Sequence, residues 1–202
     1  AIAFAKRFGG YVIAADSRTV YRGMDIGTAK PPRDHAAPPK GRDLIRGRGE
    51  DWPYLVQGIP HFLIDIRNPD ESYTVAEFQR DAERLIGEIG TREKVPIIVG
   101  GTGLYVQALV DNFSIPEIGA STKLREAFEQ KTCEELGTLL ETFDAASAAR
   151  IDRKNKRRLI RALEVCIFTG KPFSELREQQ SPTINFLEIG ITASREELYR
   201  RI

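Results

Sequence analysis

Two short apolar runs, each ending in a turn of small or polar residues, constrain this chain more than any other feature. Val95-Pro-Ile-Ile-Val99 is apolar at every position and runs straight into Gly100-Gly-Thr-Gly103, with an apolar helix following over residues 104–110. Tyr11-Val-Ile-Ala-Ala15 is a second such run, and it ends at Asp16-Ser17. A strand without period-two alternation is expected to be buried on both faces, and such strands separated by helices form a parallel sheet with helices covering it. The chain therefore reads as α/β. Ligands in such sheets sit at the carboxyl ends of the strands, so Asp16-Ser17 and the Gly100–Gly103 turn are expected to face one cleft.

The remaining pattern fills in around these runs. Gly9-Gly10 closes a first helix. Residues 31–57 are rich in Pro, Gly and charge with little periodicity, and read as a long surface loop. His61-Phe-Leu-Ile-Asp65 is another short apolar run. Ser72 opens a helix whose Val75, Phe78, Ala82, Leu85 and Ile86 recur at helical spacing up to Gly90. Beyond Asp111 the period changes: residues 121–178 carry helical spacing only, as in Leu136/Leu139/Leu140 and Leu159/Leu163/Ile167, and read as an all-helical insertion. Phe186-Leu-Glu-Ile-Gly-Ile191 is expected to return to the sheet as a strand. This divides the chain into an α/β core, residues 1–112 and 185–202, and a helical insertion, residues 113–184. Ala1 to Phe8 read as a helix already under way and Ser194 to Ile202 as a helix beginning, so both ends read as cut.

Composition excludes several classes. Cys133 and Cys166 form no CxxC or Cys/His cluster, which argues against a zinc site or a disulfide framework and fits a reducing cytoplasm. No apolar run approaches the ~18 residues of a membrane span. The formal net charge is +1, so only the distribution of charge can point to a polyanionic partner. One stretch stands out. Arg150-Ile-Asp-Arg-Lys-Asn-Lys-Arg-Arg-Leu-Ile-Arg161 is mostly basic against a single acid, Asp152. On a helix it turns Ile151, Leu159, Ala162 and Leu163 to a core and spreads Arg157, Arg158 and Arg161 over the outside, an arrangement suited to phosphates and also to an ordinary solvated face.

Asp16 ends a buried strand and can serve there as a helix cap, a metal ligand or a general base; Ser17, Arg18 and Thr19 follow it. The Gly-Gly-Thr-Gly turn can bring backbone N–H groups to an anion, or can exist only to pack a helix tightly on the sheet. His61 reads as structural, His35 has no evident partner, and Trp52 and Tyr54 read as loop anchors that could also stack on a base.

Together, Asp16-Ser-Arg-Thr-Val-Tyr-Arg-Gly-Met-Asp-Ile-Gly-Thr-Ala-Lys30, Gly58-Ile-Pro-His-Phe-Leu-Ile-Asp65, Val99-Gly-Gly-Thr-Gly-Leu-Tyr105 and Arg157-Arg-Leu-Ile-Arg-Ala-Leu-Glu-Val165 resemble the tRNA dimethylallyltransferase family, also called tRNA isopentenyltransferases. Order and spacing match from end to end apart from residues 31–57. The resemblance implies a P-loop NTPase-like parallel sheet core with an all-helical insertion domain. It implies transfer of a dimethylallyl group from dimethylallyl diphosphate, with Mg²⁺, to N6 of adenine 37 in the anticodon loop of tRNAs reading codons that begin with U. The partners would be the tRNA anticodon stem-loop and dimethylallyl diphosphate, with no membrane, in a cytoplasmic monomer. Asp16 would be the general base, with Thr102 and Arg125 bordering the reaction channel. Asp16, Ser17, Arg18 and Thr19, and Arg157, Arg158, Leu159, Ile160 and Arg161, would meet the tRNA. No metal ligand is assignable, because the family's phosphate-binding Gly-Lys-Ser/Thr loop is expected just before Ala1; the chain as it stands is expected to be inactive. A nucleotide-prenylating enzyme, a small-metabolite kinase and a non-catalytic RNA-binding fragment are the alternatives on the same core.

Overall fold

The computed structural model describes residues 1–34, 54–112, 121–176 and 184–201. The elements are α1 (Ile2–Phe8), β1 (Gly10–Ala14), β2 (Tyr54–Val56), β3 (Ile59–Phe62), α2 (Val75–Gly90), β4 (Val95–Val99), α3 (Gly103–Val110), α4 (Thr122–Glu129), α5 (Cys133–Phe143), α6 (Ala145–Arg150), α7 (Lys156–Thr169) and α8 (Arg195–Arg201).

The sheet has the order β2-β3-β1-β4. β1 pairs in parallel with β3 on one side and with β4 on the other, Ile13 lying opposite Phe62 and Ile98. Residues of β1 and its extension alternate between two packing environments, as the two-residue period of a strand demands. Ile13 and Ala15 join Phe78, Ala82, Leu85 and Ile89 of α2 and Tyr105 and Leu109 of α3 in the main core, while Ala14 packs with Tyr54, Val56, Ile64 and Ile2. α1 ends at Gly9 in the left-handed conformation, φ 62°, which lets the chain reverse into β1. α2 is bounded by a capping box in which Thr74 and Glu77 satisfy each other's backbone amides, two residues later than Ser72 suggested.

Several further sequence expectations need correction. β4 is not buried on both faces: Val95 and Val99 are exposed and the strand is last in the described sheet, so only β1 covers its edge. Residues 31–57 are not loop throughout, because Tyr54–Val56 is a strand antiparallel to β3; the two-residue turn has Gln57 and Gly58 both at positive φ, and Asp34 accepts both of their amides. His35 and Trp52 lie outside the described residues. Phe186 to Ile191 form no strand. Phe186 packs on the α/β core, but Leu187, Ile189 and Ile191 are exposed.

A separate cluster is built from helical residues 124–173, with Leu136, Leu140, Leu159 and Leu163 fully buried in it. The basic stretch is not one helix: α6 ends at Arg150, a turn follows, and α7 restarts at Lys156 with Asn155 as its cap. No helix among the described residues is long and apolar enough to cross a membrane.

The loop after β1 is tied to the segment after β3. Thr19 and Val20 carbonyls accept the amides of Asp65, Ile66 and Arg67, and Tyr21 bridges Arg67 in parallel. Lys30 closes this junction. Its side chain is 2% exposed, and its ammonium donates to Asp25 at 2.7 Å, Asp65 at 2.6 Å and the Tyr21 carbonyl at 2.8 Å. Three donors meet three acceptors, as a buried ammonium requires. Burial alone would lower the Lys30 pKa, but the hydrogen bonds and charges of Asp25 and Asp65 outweigh it and raise the pKa. Leu63 and Asp65 are held at φ 63° and 54°, a conformation that costs on the order of 1–3 kcal/mol for such residues and persists only where the surroundings impose it.

Lys30→Met is expected to destabilise the protein by about 2–3 kcal/mol in urea unfolding at neutral pH. That is less than the ~3–5 kcal/mol of a fully buried broken pair, because Asp25 can rehydrate. A raised folded pKa means that the charge-dependent part is fully present below the unfolded value, ~10.4, and is lost as pH rises through the folded value. The gap between wild type and Lys30→Met should therefore narrow in strongly alkaline buffer.

Candidate active site

The site lies where β1 and β4 end side by side. Their pairing continues beyond the strands: Ala15 N–H donates to the Val99 carbonyl at 2.8 Å, and Thr102 N–H donates back to the Ala15 carbonyl at 3.2 Å. Gly100 is packed against this crossing. A Cβ built on it would lie 2.1 Å from the Ala15 carbonyl oxygen, so no other residue fits without moving backbone. Thr102 occupies the N-cap position of α3, yet its hydroxyl does not cap the helix. Instead Oγ1 accepts the Ser17 N–H at 2.9 Å and lies 3.2 Å from Ser17 Oγ. The Gly-rich turn thus does more than pack a helix; it fixes the loop that carries Asp16.

Asp16 Oδ1 accepts the amides of Arg18 at 2.7 Å and Thr19 at 3.2 Å, which orients the carboxylate. Oδ2 takes no hydrogen bond among the described residues and faces Gly101, whose missing Cβ would stand 3.6 Å away. Asp16 is therefore both a local cap and a carboxylate with one oxygen left over, part-buried just beyond the carboxyl end of β1. In the core beside this loop, Tyr105 stacks on Phe78 at 4.5 Å and donates to the Tyr73 carbonyl; burial, with the negative charge of Asp16 among the smaller causes, pushes the Tyr105 phenol up to about 12.

The other sequence-predicted residues divide. Ser17 and exposed Arg18 lie with Asp16. Thr19 is buried, its Oγ1 without a partner among the described residues, and it serves this loop through its backbone amide. Arg125 is not joined to Asp16 or Thr102 by any contact among the described residues. It lies on α4, where Glu164 of α7 grips it by Nε at 2.8 Å and Nη2 at 2.9 Å. Leu159 and Ile160 are core residues of the helical cluster, so their side chains are occupied by packing. Arg157 and Arg158 are exposed, with no ion pair among the described residues, whereas Arg153 pairs with Glu141, Lys156 with Glu129 and Arg161 with Glu164. Three bases and no acid occupy the first turn of α7. Positive charge there opposes the helix dipole, a local conflict that an anion bound at this end would relieve.

Tyr54 is a buried anchor donating to the Pro31 carbonyl, and His61 is buried with Nδ1 2.9 Å from the Ile59 carbonyl, its pKa lowered by burial. Sequence reasoning missed Lys30 and Glu164. Glu164 had a signal: it is an acid on the apolar face of α7, three residues after an arginine.

Gly100→Ala is expected to cost about 3 kcal/mol or more, since the added methyl must part the Ala15 and Gly100 backbones. Gly101→Ala, with its nearest contact at van der Waals distance, should stay within about 1 kcal/mol. Thermal unfolding of the two variants side by side checks both.

The IPP transferase family model matches residues 19–202. A tRNA dimethylallyltransferase of Geobacillus kaustophilus is 44% identical over 207 residues, covering 100% of this chain and 59% of the relative. One from Thermomicrobium roseum is 42% identical over 206 residues, covering 100% of this chain and 56% of the relative. The chain thus spans little more than half the length of these relatives. Among solved structures, tRNA delta(2)-isopentenylpyrophosphate transferase from Staphylococcus epidermidis aligns at TM-score 0.50 with 37% identity, over 99% of this chain and 60% of that one. A eukaryotic dimethylallyltransferase acting on tRNA aligns at TM-score 0.65 with 27% identity, over 92% of this chain and 42% of that one. The core is the P-loop NTPase-like α/β fold of these neighbours. With whole-chain identity above 40% and a family model spanning nearly its full length, this chain belongs to the IPP transferase family, the tRNA dimethylallyltransferases.

Proposed function

We propose that this protein serves the transfer of a dimethylallyl group from dimethylallyl diphosphate to the exocyclic N6 of an anticodon-loop adenine, position 37, in tRNAs reading codons that begin with U. The observation that carries this reading is the coupling of the two loops at the carboxyl ends of β1 and β4, which holds Asp16 oriented through Oδ1 and leaves Oδ2 toward Gly101 with no hydrogen bond among the described residues.

The N6 lone pair is delocalised into the ring and is a weak nucleophile. As N6 bonds to the allylic carbon, its proton becomes acidic. The Asp16 carboxylate, as general base, accepts that proton, help typically worth ~10²–10⁴ in rate. The bond from the allylic carbon to the diphosphate oxygen breaks, and diphosphate leaves with the bonding electrons. Thr102 contributes by holding the loop that presents Asp16. The base must leave its stack to reach this cleft.

Mg²⁺, in this reading, neutralises the diphosphate. Among the described residues no three His, Cys, Asp or Glu side chains gather as a metal site. Mg²⁺ does not require one, since it keeps waters and binds through substrate phosphates and one or two carboxylates. We assign it no protein ligand.

A free nucleotide could enter the same cleft. The unpaired arginines on the first turn of α7 favour tRNA, because a free nucleotide has no second set of phosphates for them. Free thiols at Cys133 and Cys166 accord with a cytoplasmic setting, where we place the protein as a monomer.

The deciding assay measures prenyl transfer from dimethylallyl diphosphate with Mg²⁺ to tRNA and to AMP, in this chain and in a version extended upstream through a Gly-Lys-Ser/Thr loop. The extended version should modify tRNA and not AMP; preference for AMP would overturn the tRNA reading. In it, Asp16→Asn should cut turnover by at least ~10²-fold with tRNA affinity little changed; near-normal turnover would remove Asp16 from the chemistry. Arg157→Ala and Arg158→Ala should each weaken tRNA binding and flatten the dependence of log K on log salt by about 0.7–0.9. Unchanged slopes would return this turn to a solvated surface.

A further inference from the structure

Glu164 is 0% exposed, yet it carries the charge that organises the basic surface of the helical region. Its position on α7 is flanked by buried Leu163 and Val165. A lone carboxylate there would be strongly destabilising, and four donors answer it: Ser121 N–H at 3.2 Å, Arg125 Nε at 2.8 Å and Nη2 at 2.9 Å, and Arg161 Nη1 at 3.5 Å. Burial would raise the Glu164 pKa, but the hydrogen bonds and charge of Arg125, with Ser121 and Arg161, together outweigh it and hold the carboxyl below its usual value. Both arginines remain partly at the surface, their side chains 45% and 35% exposed. The planar grip uses two of the five N–H donors of Arg125 and leaves three for another partner.

We propose that Glu164 is a positioning residue for RNA binding. It holds Arg125 in a fixed orientation, with Arg161 drawn to the same carboxylate beside Arg157 and Arg158, so that the remaining donors of Arg125 meet backbone phosphates without first losing rotamer freedom. This inference rests on the reading of α7 as the tRNA-binding face. It joins two arginines from separate helices, 36 positions apart, into one preorganised anion surface.

Charge and positioning predict opposite signs, which makes the inference testable. Glu164→Gln removes a negative charge from a phosphate-binding surface, so electrostatics alone predicts tighter RNA binding with a steeper salt slope. Positioning predicts weaker binding with a shallower slope. The measurement is anisotropy titration of a labelled tRNA anticodon stem-loop at several salt concentrations, with Arg158→Ala as reference and circular dichroism to confirm folding. Glu164→Gln is expected to weaken binding roughly 5–50-fold, the factor for re-ordering two rotamer-rich side chains. Its salt slope should fall by about 0.7–0.9 per lost contact. Arg125→Lys keeps a charge at the surface but cannot span both carboxylate oxygens. It should reproduce part of the loss without altering the core, and it decides the matter if Glu164→Gln does not fold. Wild-type or tighter binding in Glu164→Gln, or wild-type affinity in Arg125→Lys should the former not fold, overturns the inference when Arg158→Ala weakens binding as expected. If Arg158→Ala also leaves binding unchanged, the RNA-binding reading of α7 falls and this inference falls with it.

Discussion

The pairing of β1 with β4 is the interaction on which the rest of the α/β region depends. Five residue pairs bring the two strands together in register, from Gly10 with Val95 to Ala14 with Val99. The ladder then continues through the Ala15 amide and carbonyl and ends on the Thr102 hydroxyl. Because this extension is made by loop backbone, it requires closer approach than a side chain allows, and Gly100 supplies that space. A strand pairing and a functional loop are thus one continuous set of hydrogen bonds. The orientation of Asp16 is a consequence of sheet register, not a separate device.

Buried charge plays the complementary part. Lys30 and Glu164 each sit where a lone ion would be untenable, and each is satisfied by partners distant in sequence. Such pairs contribute modestly to net stability, because desolvation offsets their attraction. Their effect is on geometry. Lys30 fastens the loop after β1 to the segment after β3, where Leu63 and Asp65 are held at positive φ. Glu164 fastens α4 to α7, sets the plane of the Arg125 guanidinium and draws Arg161 to the same carboxylate. In both cases an ion pair whose loss would be costly leaves a nearby group little freedom.

Much of this was legible from residue order. The strand ends at Asp16 and Gly100 followed from apolar runs meeting polar or small turns, and the helical character of residues 121–169 followed from leucine spacing. The errors share one cause. Val95 to Val99 is apolar throughout and Phe186 to Ile191 carries four apolar residues around Glu188 and Gly190, and in both the apolar content points to burial in a sheet. In the structure the first is an exposed edge strand, and the second touches the core through Phe186 alone. Composition reports that a segment can be buried; whether neighbouring surface exists to bury it is a property of the assembled layers. Leu159 and Ile160 follow the same logic in reverse. They lie inside the basic motif, but helical phase turns them into the core and leaves Arg157 and Arg158 outside.

The sequence by itself determined most of the local elements: the helices over residues 75–90 and 122–169 in outline, the strands at β1 and β4, and that Asp16 and the Gly-Thr-Gly turn stand at strand ends. These depend on periods of two and 3.6 residues and on turn chemistry, which act over a few positions. Only the tertiary structure decided which loops interlock and which charges pair. The Ser17–Thr102 contact spans 85 positions, Lys30 meets Asp65 across 35, and Arg125 meets Glu164 across 39. At such separations no periodicity carries information. The choice of partner is made when the sheet and the helices pack, because a buried charge must be met by whatever opposite charge that packing brings within hydrogen-bond reach.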